Sequence, residues 1–158
     1  MTKKILTTLL VASLFTSAKA QDYKWGIGLR GGLSDGLTIK YFMQPTKALE
    51  FIVANRWKGW NTTVLYEIHN TLGDPGLRWY YGAGGHVGFW RGYPGNPWFT
   101  LDQPYTVVGI DGIIGLEYNF KEIPLNLSID YKPGFNLYGY TGFWADEIGL
   151  SARLLIRK

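Results

Sequence analysis

The sequence predicts an all-β fold, an eight-stranded antiparallel up-and-down β-barrel. Apolar and polar residues alternate with a period of two along most of the 158-residue chain, which is the pattern of strands with one apolar and one polar face. Helical periodicity is missing, and 21 glycines interrupt almost every window long enough to hold a helix. After Gln21 no uncharged stretch reaches eighteen residues, so no transmembrane helix is expected.

The N-terminus predicts a signal peptide that is removed on export. Two lysines precede an uncharged run over residues 5–18, and the Ala-Lys-Ala sequence ending at Ala20 fits a small-x-small cleavage site. The run is too short to span a bilayer of about 30 Å as a helix, so cleavage before Gln21 is favoured over an uncleaved anchor. We therefore expect a leader over residues 1–20 and one domain over residues 21–158.

Removing the leader changes the net charge. The full chain has 16 basic and 12 acidic residues, net +4; the leader holds three lysines and no acid, so the mature chain keeps 13 basic residues and a net charge of +1. No basic surface for nucleic acid remains, so no nucleic-acid partner is expected. The absence of cysteine excludes disulfide scaffolds, thiolate zinc sites and cysteine nucleophiles.

The first strand illustrates the alternation that defines all eight. Trp25 and Ile27 share one face, whereas Gly28 and Arg30 share the other. Residues 108–120 repeat the pattern over a longer run, with valine, isoleucine, leucine and tyrosine opposing glycine, aspartate, glutamate and asparagine. The predicted strands run approximately over residues 24–33, 37–44, 48–57, 62–69, 78–90, 106–120, 124–132 and 145–157.

Connections between these strands contain the residues that favour turns. Each one holds glycine or proline, the strongest breakers of regular structure. The expected connections lie at residues 34–36, 44–47, 58–59, 73–76, 91–105, 121–124 and 134–143. The short ones predict hairpins, and hence an antiparallel order of neighbouring strands.

The distribution of charge bears on which face points inward. The polar face carries six basic residues, six acidic residues and His86. Alternation alone does not say which face is buried, and a soluble lipocalin-like barrel or sandwich would place the apolar face inside. The predicted charge network of the polar face comprises Arg30, Lys40, Glu50, Arg56, Glu67, Arg78, His86, Asp111, Glu117, Asp130, Lys132, Glu147 and Arg153.

Three features favour the charged face as the inner one. Glycine concentrates on that face, where small residues make room inside a narrow closed barrel. Aromatic residues gather near strand ends, as in the two interfacial girdles of a membrane barrel. Strands of about ten residues match a tilted crossing of the hydrocarbon core. The sequence therefore predicts a transmembrane barrel with a compensated network of lumen charges, since unpaired buried charges are costly.

Residues 108–120 and the run that follows to Pro133 resemble the small outer-membrane β-barrel proteins of Bacteroidetes-type bacteria. These porin-like proteins are similar in shape to the eight-stranded OmpA-, OmpX- and opacity-type barrels. The resemblance implies a Gram-negative outer-membrane location. It also implies contact with outer-membrane lipid, with the barrel-assembly machinery during insertion, and with an envelope or surface protein.

The same resemblance implies an orientation in the membrane. Both termini and the turns near Pro45, Asp74 and Glu122 would lie in the periplasm, and the remaining connections would face outside. The chain departs from the family at its C-terminus, where Leu-Leu-Ile-Arg-Lys stands in place of the terminal aromatic residue that the assembly machinery reads. This departure bears on the efficiency of insertion.

Enzymatic chemistry finds little support in the sequence. His86 shares a face with Asp111 and Glu117 of the next strand, so a hydrogen bond between His86 and one of these carboxylates is expected. A lipid A-modifying enzyme needs nucleophile, base and orienting group within reach of lipid outside the wall, whereas these side chains point inward. The candidates considered are His69, His86, Ser128, Ser151, Glu67, Asp111 and Glu117. We expect no enzymatic activity.

Cofactor and metal sites are not expected either. Residues 26–31 match the dinucleotide fingerprint by letter, but that motif requires a helix after it, and none follows. Two histidines on separate strands and scattered carboxylates lack metal-ligand spacing.

The connection over residues 91–105 is the best candidate for binding. Its three prolines restrict it, and long connections on rigid barrels often carry function. The alternative interpretation is a lid that folds over the barrel mouth. The candidate binding residues are Arg91, Tyr93, Trp98, Phe99, Asp102 and Tyr105.

We therefore expect a small outer-membrane barrel with a mostly filled lumen and a structural role or a surface-binding role through residues 91–105 and 134–143. Eight strands leave an interior that side chains just fill, so a general diffusion pore is not expected. The alternatives are a narrow channel or passive transporter, a lipid A-modifying enzyme and a soluble periplasmic lipocalin-like ligand binder.

Overall fold

The structure, a computed structural model, describes residues 23–157 and shows them as ten antiparallel strands without a helix. The signal peptide predicted over residues 1–20 lies outside this described part. The strands are β1 (Tyr23–Gly32), β2 (Asp35–Gln44), β3 (Lys47–Arg56), β4 (Gly59–Leu72), β5 (Asp74–Arg91), β6 (Pro104–Asn119), β7 (Leu125–Tyr131), β8 (Gly134–Tyr138), β9 (Gly142–Trp144) and β10 (Ile148–Arg157). Within residues 23–157, no helix has the length and apolar character needed to cross a membrane.

Pairing between β5 and β6 closes the sheet into a barrel, whose other neighbours follow the order β5-β4-β3-β2-β1-β10-β7-β6. β8 continues along β6 where β7 ends, since Tyr131 pairs with Ile114 and Gly134 with Asp111. The break falls at Pro133, which has no N–H for the ladder. β7 and β8 therefore act as one barrel strand, and β9 and β10 as another. For the described residues, the predicted eight-stranded up-and-down barrel is confirmed.

Most strand boundaries differ from the prediction by one to four residues, and two of the connections change in kind. The turn between β4 and β5 narrows to Gly73, whose φ of 65° suits glycine, and residues 74–76 belong to β5. The connection predicted over residues 134–143 contains β8 and β9, so the expectation of a strand-free loop there is wrong. These short strands form because their backbone groups pair with β6 and with each other.

The barrel has two different ends. The terminal end, where the described chain begins and leaves, carries the connections at residues 45–46, 73 and 120–124. The loop end carries the connections at residues 33–34, 57–58, 92–103 and 139–141. An even number of barrel strands brings both ends of the described chain to the same side.

The charged face of the strands lies inside the barrel, and the apolar face lies outside. Lys40, Glu117 and Arg153 are each 1% exposed, whereas Leu29 is 67% exposed and Leu154 63% exposed. A water-soluble barrel would show the opposite distribution, because burial of apolar side chains stabilises its interior. The inward placement of the charged face, predicted from the glycines, is confirmed.

Glycines on the inner face give the lumen side chains their room. A Cβ at Gly149 would overlap the guanidinium of Arg30, and a Cβ at Gly109 would overlap the imidazole of His86. In a narrow barrel an inward side chain can be large only if its neighbour across the strands is small. Glycine at these positions therefore sets where the buried charges lie.

Candidate functional site: a filled lumen and its lid

Six charged or titratable side chains fill the lumen near the terminal end. This terminal-end cluster comprises Lys40, Glu50, Glu67, His69, Glu117 and Arg153. Lys40 and Glu50 are cross-strand partners on β2 and β3, which brings their side chains together inside the barrel. The Lys40 Nζ lies 2.8 Å from Glu67 Oε2, 3.2 Å from Glu50 Oε2 and 3.6 Å from Glu117 Oε2. A buried ammonium group thus has three carboxylates around it, the compensation that burial of charge requires.

Arg153 is held by four side chains on three strands of the wall. Its Nη2 pairs with Glu50, and its Nε donates to Thr38 Oγ1 at 3.0 Å. Its Nη1 donates to Asn126 Oδ1 at 3.0 Å and to Ser128 Oγ at 2.8 Å. Ser128, considered above as a nucleophile, is therefore an acceptor for a buried guanidinium.

His69 is part of the network although the sequence interpretation left it out. Its Nε2 lies 3.0 Å from Glu67 Oε2, and its Nδ1 lies 3.1 Å from Glu117 Oε1. The ring stacks on Tyr80 with centroids 5.0 Å apart and an interplanar angle of 19°. Its position two residues after Glu67 was the available signal, because residues i and i+2 of a strand share a face.

Asp130 joins the two halves of the lumen. It accepts both guanidinium donors of Arg30, at 2.6 and 2.8 Å, and the hydroxyl of Tyr80 at 3.2 Å. Arg30 also lies 3.8 Å from Glu147, which belongs to the other half. A bidentate arginine–carboxylate pair of this kind is among the stronger hydrogen-bonded arrangements in proteins.

A second group of buried polar side chains lies near the loop end. Lys132 bridges Asp111 and Glu147 at 3.2 Å each. His86 Nδ1 lies 2.7 Å from Asp111 Oδ2, and His86 Nε2 lies 2.9 Å from Asn136 Oδ1. The expected hydrogen bond from His86 is therefore made to Asp111. Glu117, the other expected partner, contacts His69 instead.

Two of the thirteen predicted network residues are half-buried, one toward each end of the barrel. Arg56 pairs with Asp146 at 2.6 Å near the loop end, and Arg78 is half-buried near the terminal end, 3.4 Å from the carbonyl of Pro45. The other eleven are buried. Within residues 23–157 these eleven comprise four lysines and arginines, six acids and His86.

The ion pair between Arg56 and Asp146 shifts the pKa of a carboxyl group outside the barrel wall. Hydrogen bonding from Arg56 holds the pKa of the Asp146 carboxyl below its ordinary value. The Asp146 side chain is 52% exposed, so water screens this pair.

Residues 92–103 fold back over the mouth of the barrel as a lid. Asn96 Oδ1 accepts the N–H groups of Trp98 and Phe99, at 2.9 and 3.0 Å. The Tyr93 N–H donates to the Phe99 carbonyl at 2.9 Å. These local hydrogen bonds turn the segment inward, as asparagine side chains do in turns.

An aromatic cluster seals the lid against the lumen. Phe99 is fully buried and packs against Trp90, Tyr105 and Tyr140, with ring centroids 5.4, 4.7 and 5.6 Å away. Trp144 lies beneath it, 5.3 Å from Trp90. Rings at these separations are in favourable contact, so the cluster is a packed apolar plug.

The turn from β3 to β4 adds Trp57 to the plug at a conformational cost. Trp57 and Lys58 have φ of 50° and 59°, the left-handed region that a two-residue hairpin turn requires and that asparagine and glycine usually occupy. The Trp57 ring lies 5.9 Å from that of Trp144 and 3.8 Å from the Arg56 guanidinium carbon. These contacts hold the tryptophan in an otherwise unfavourable backbone conformation.

The six candidate binding residues of this segment divide into two groups. Phe99 is buried, and the rings of Tyr93, Trp98 and Tyr105 are half-buried. Arg91 and Asp102 form an ion pair at 2.9 Å with side chains 77% and 68% exposed. Most of the aromatic surface expected for a ligand therefore packs into the lid.

A cavity of about 10 Å³, room for about one water molecule, lies under the lid. It is lined by Ser34, Ile52, Ala54, Arg56, Asn61, Thr63, Trp90, Trp144 and Glu147. The structure places no serine beside the His86–Asp111 pair among the hydrogen bonds of residues 23–157, and in these residues no group of three or more histidines and carboxylates is arranged to hold a metal ion.

No protein-family model matches the sequence, and no curated protein matches it either.

Proposed function

We propose that the protein is a small integral outer-membrane β-barrel, exported by its signal peptide, with a structural or surface-binding role. The observation that carries this proposal is the inversion of faces: a continuous apolar surface outside and a charged network inside. An apolar outer surface on a closed barrel suits lipid, because closure leaves no unpaired strand edge in the bilayer.

Aromatic residues on the outer surface support the same proposal. Trp25 and Tyr41 stack near the terminal end with centroids 4.4 Å apart, and Trp60 pairs across strands with Phe89 near the loop end. Trp60 and Phe89 are 59% and 55% exposed. Such aromatic pairs at two heights are typical of headgroup girdles.

Shallow apolar grooves on the outer wall fit acyl chains of outer-membrane lipid. Two adjoining grooves of about 390 and 310 Å³ share Leu116 and Ile129 in their linings. Lipid is therefore the partner we propose for the wall, with the barrel-assembly machinery acting during insertion.

The filled lumen favours a non-conducting barrel over the channel alternative. Ion pairs occupy both halves of the lumen, and the lid packs over the mouth. His69 and His86 are 1% and 4% exposed and lie inside the wall, so they do not support the lipid-modifying alternative. A surface-binding role would use groups that stay exposed at the loop end, such as Arg91, Tyr138 and Phe143. An envelope or surface protein is the partner we propose there.

The proposal is tested by fractionation and heat-modifiable migration. The full chain is expressed with its leader, and the outer-membrane fraction is run on SDS gels boiled and unboiled. We expect a membrane-resident protein whose unboiled form migrates differently. Recovery in the soluble periplasmic fraction with no mobility difference would overturn the membrane proposal. A leaderless variant is the control for export.

A further inference from the structure

We propose that the lumen binds one proton as a structural ligand, held between the side chains of Glu67 and His69. The His69 Nδ1 lies 3.1 Å from Glu117 Oε1, and its Nε2 lies 3.0 Å from Glu67 Oε2. An ionised carboxylate only accepts hydrogen bonds, and a neutral imidazole has one N–H. If Nδ1 donates to Glu117, the contact on Nε2 needs a second hydrogen, carried by the ring or by Glu67.

A change of tautomer does not remove this requirement at His69. His86 is different, because its Nε2 faces the amide of Asn136, which can offer either oxygen or nitrogen. Both partners of His69 are carboxyl groups, which have no donor unless they are protonated. The proton therefore belongs to the Glu67–His69 contact.

The charge count of the terminal-end cluster also indicates one bound proton. Lys40 and Arg153 supply two positive charges against the carboxylates of Glu50, Glu67 and Glu117. All five side chains are 1% exposed or less, so water does not screen an imbalance. One added proton makes the cluster neutral.

Charged and titratable groups on seven strands surround His69. They comprise Tyr23 on β1, Lys40 on β2, Glu50 on β3, Glu67 on β4, Arg78 and Tyr80 on β5, Glu117 on β6 and Arg153 on β10. Tyr80 covers one face of the ring, and Phe42 packs 4.8 Å away toward the terminal end. The site is thus closed to water and binds a single proton.

Loss of this proton would leave one uncompensated negative charge inside the barrel. An unfolded histidine releases its proton near pH 6.5, so above that pH the folded barrel holds one more proton than the unfolded chain. Stability then decreases as pH rises, with the folding equilibrium constant falling up to tenfold per pH unit until the folded barrel also releases the proton.

The test compares Glu67→Gln with Asp130→Asn in the full chain folded in detergent micelles. A glutamine at 67 donates to His69 Nε2 without an added proton, so we expect the equilibrium constant of this variant, relative to wild type, to rise up to tenfold per pH unit between pH 7 and 9. Asp130 is a buried carboxylate that pairs with Arg30 outside the terminal-end cluster. Asp130→Asn leaves the cluster charges and the His69 contacts unchanged, so it should lose stability and keep the wild-type pH dependence. Parallel pH profiles for wild type and Glu67→Gln would overturn the proposal.

Magnetic resonance of the wild-type barrel gives a second test if Glu67→Gln does not fold. With labelled histidine and glutamate at pH 8, we expect a proton on His69 Nε2 or on the Glu67 carboxyl in addition to the Nδ1 proton. A ring with a single N–H beside ionised Glu50, Glu67 and Glu117 would refute the trapped proton.

Discussion

Removing the Arg153 guanidinium should be the most damaging single change in the lumen. Arg153→Met keeps the bulk of the side chain and deletes its contacts with Glu50, Thr38, Asn126 and Ser128. Breaking a buried ion pair by removing one partner costs about 3–5 kcal/mol, because the remaining charge stays buried. The neutral contacts add about 1 kcal/mol each, though such terms are not additive within one network.

The loss of stability is limited because Lys40, whose Nζ lies 3.2 Å from Glu50 Oε2, still compensates the Glu50 charge. We therefore expect about 3–5 kcal/mol for Arg153→Met and a smaller total loss for Arg153→Met combined with Glu50→Gln. The assay is urea unfolding in micelles, followed by tryptophan fluorescence and by the unboiled gel band. A loss below about 1 kcal/mol for the single variant, or a double variant less stable than the single, would refute the buried network.

Three further predictions concern the glycines, the strained turn and the loop-end pair. Gly149→Ala should cost about 1–3 kcal/mol by displacing Arg30, and unchanged urea unfolding would contradict the close approach seen there. Lys58→Gly should gain up to about 1 kcal/mol in thermal unfolding, since φ of 59° suits glycine, and a loss would show that Lys58 makes a needed contact. Asp146→Asn should cost less than about 1 kcal/mol. Because the pKa of Asp146 is depressed, its contribution is present above the unfolded value near 3.9 and disappears as pH falls through the folded value, so wild type and variant should converge in acid.

The alternation of residue types was enough to predict the number of barrel strands and which residues share a face of each strand. A strand repeats every two residues, so the parity of Arg30 or Glu117 indicates its face without any knowledge of the partner strand. The concentration of glycine on the charged face then indicated which face is crowded. Gly149 shows the physical reason for that signal, because the guanidinium of Arg30 lies where a Cβ at this position would be.

The position of each inward side chain along the barrel axis could not be predicted in the same way. Arg56 and Arg78 share the parity of the lumen residues, but strand register places them at opposite ends of the barrel. Register is set by turns, and the turns at residues 57–58 and 73 were predicted with different boundaries. His69 was considered from the sequence only as a catalytic candidate and was left out of the predicted charge network, although it shares the inward face with Glu67.

The packing of the lid also could not be predicted from the sequence. The aromatic residues between 91 and 105 suit a binding loop and a plug equally well by composition. The distinction depends on contacts of Phe99 and Trp98 with Tyr140, which lies about forty residues away in the chain. Contacts at such separations follow from the closed barrel and leave no local pattern.

The central claim is that the apolar face of the wall lies against lipid. The chain has no cysteine, so single cysteines can be introduced at Leu150, which is 59% exposed on the outer wall, and at Thr100 in the exposed part of the lid. Each is labelled with a fluorophore in the reconstituted protein and quenched with brominated lipid or with aqueous iodide. We expect lipid to quench the label at position 150 and iodide to quench the label at position 100. Quenching of position 150 by iodide and not by lipid would contradict the account.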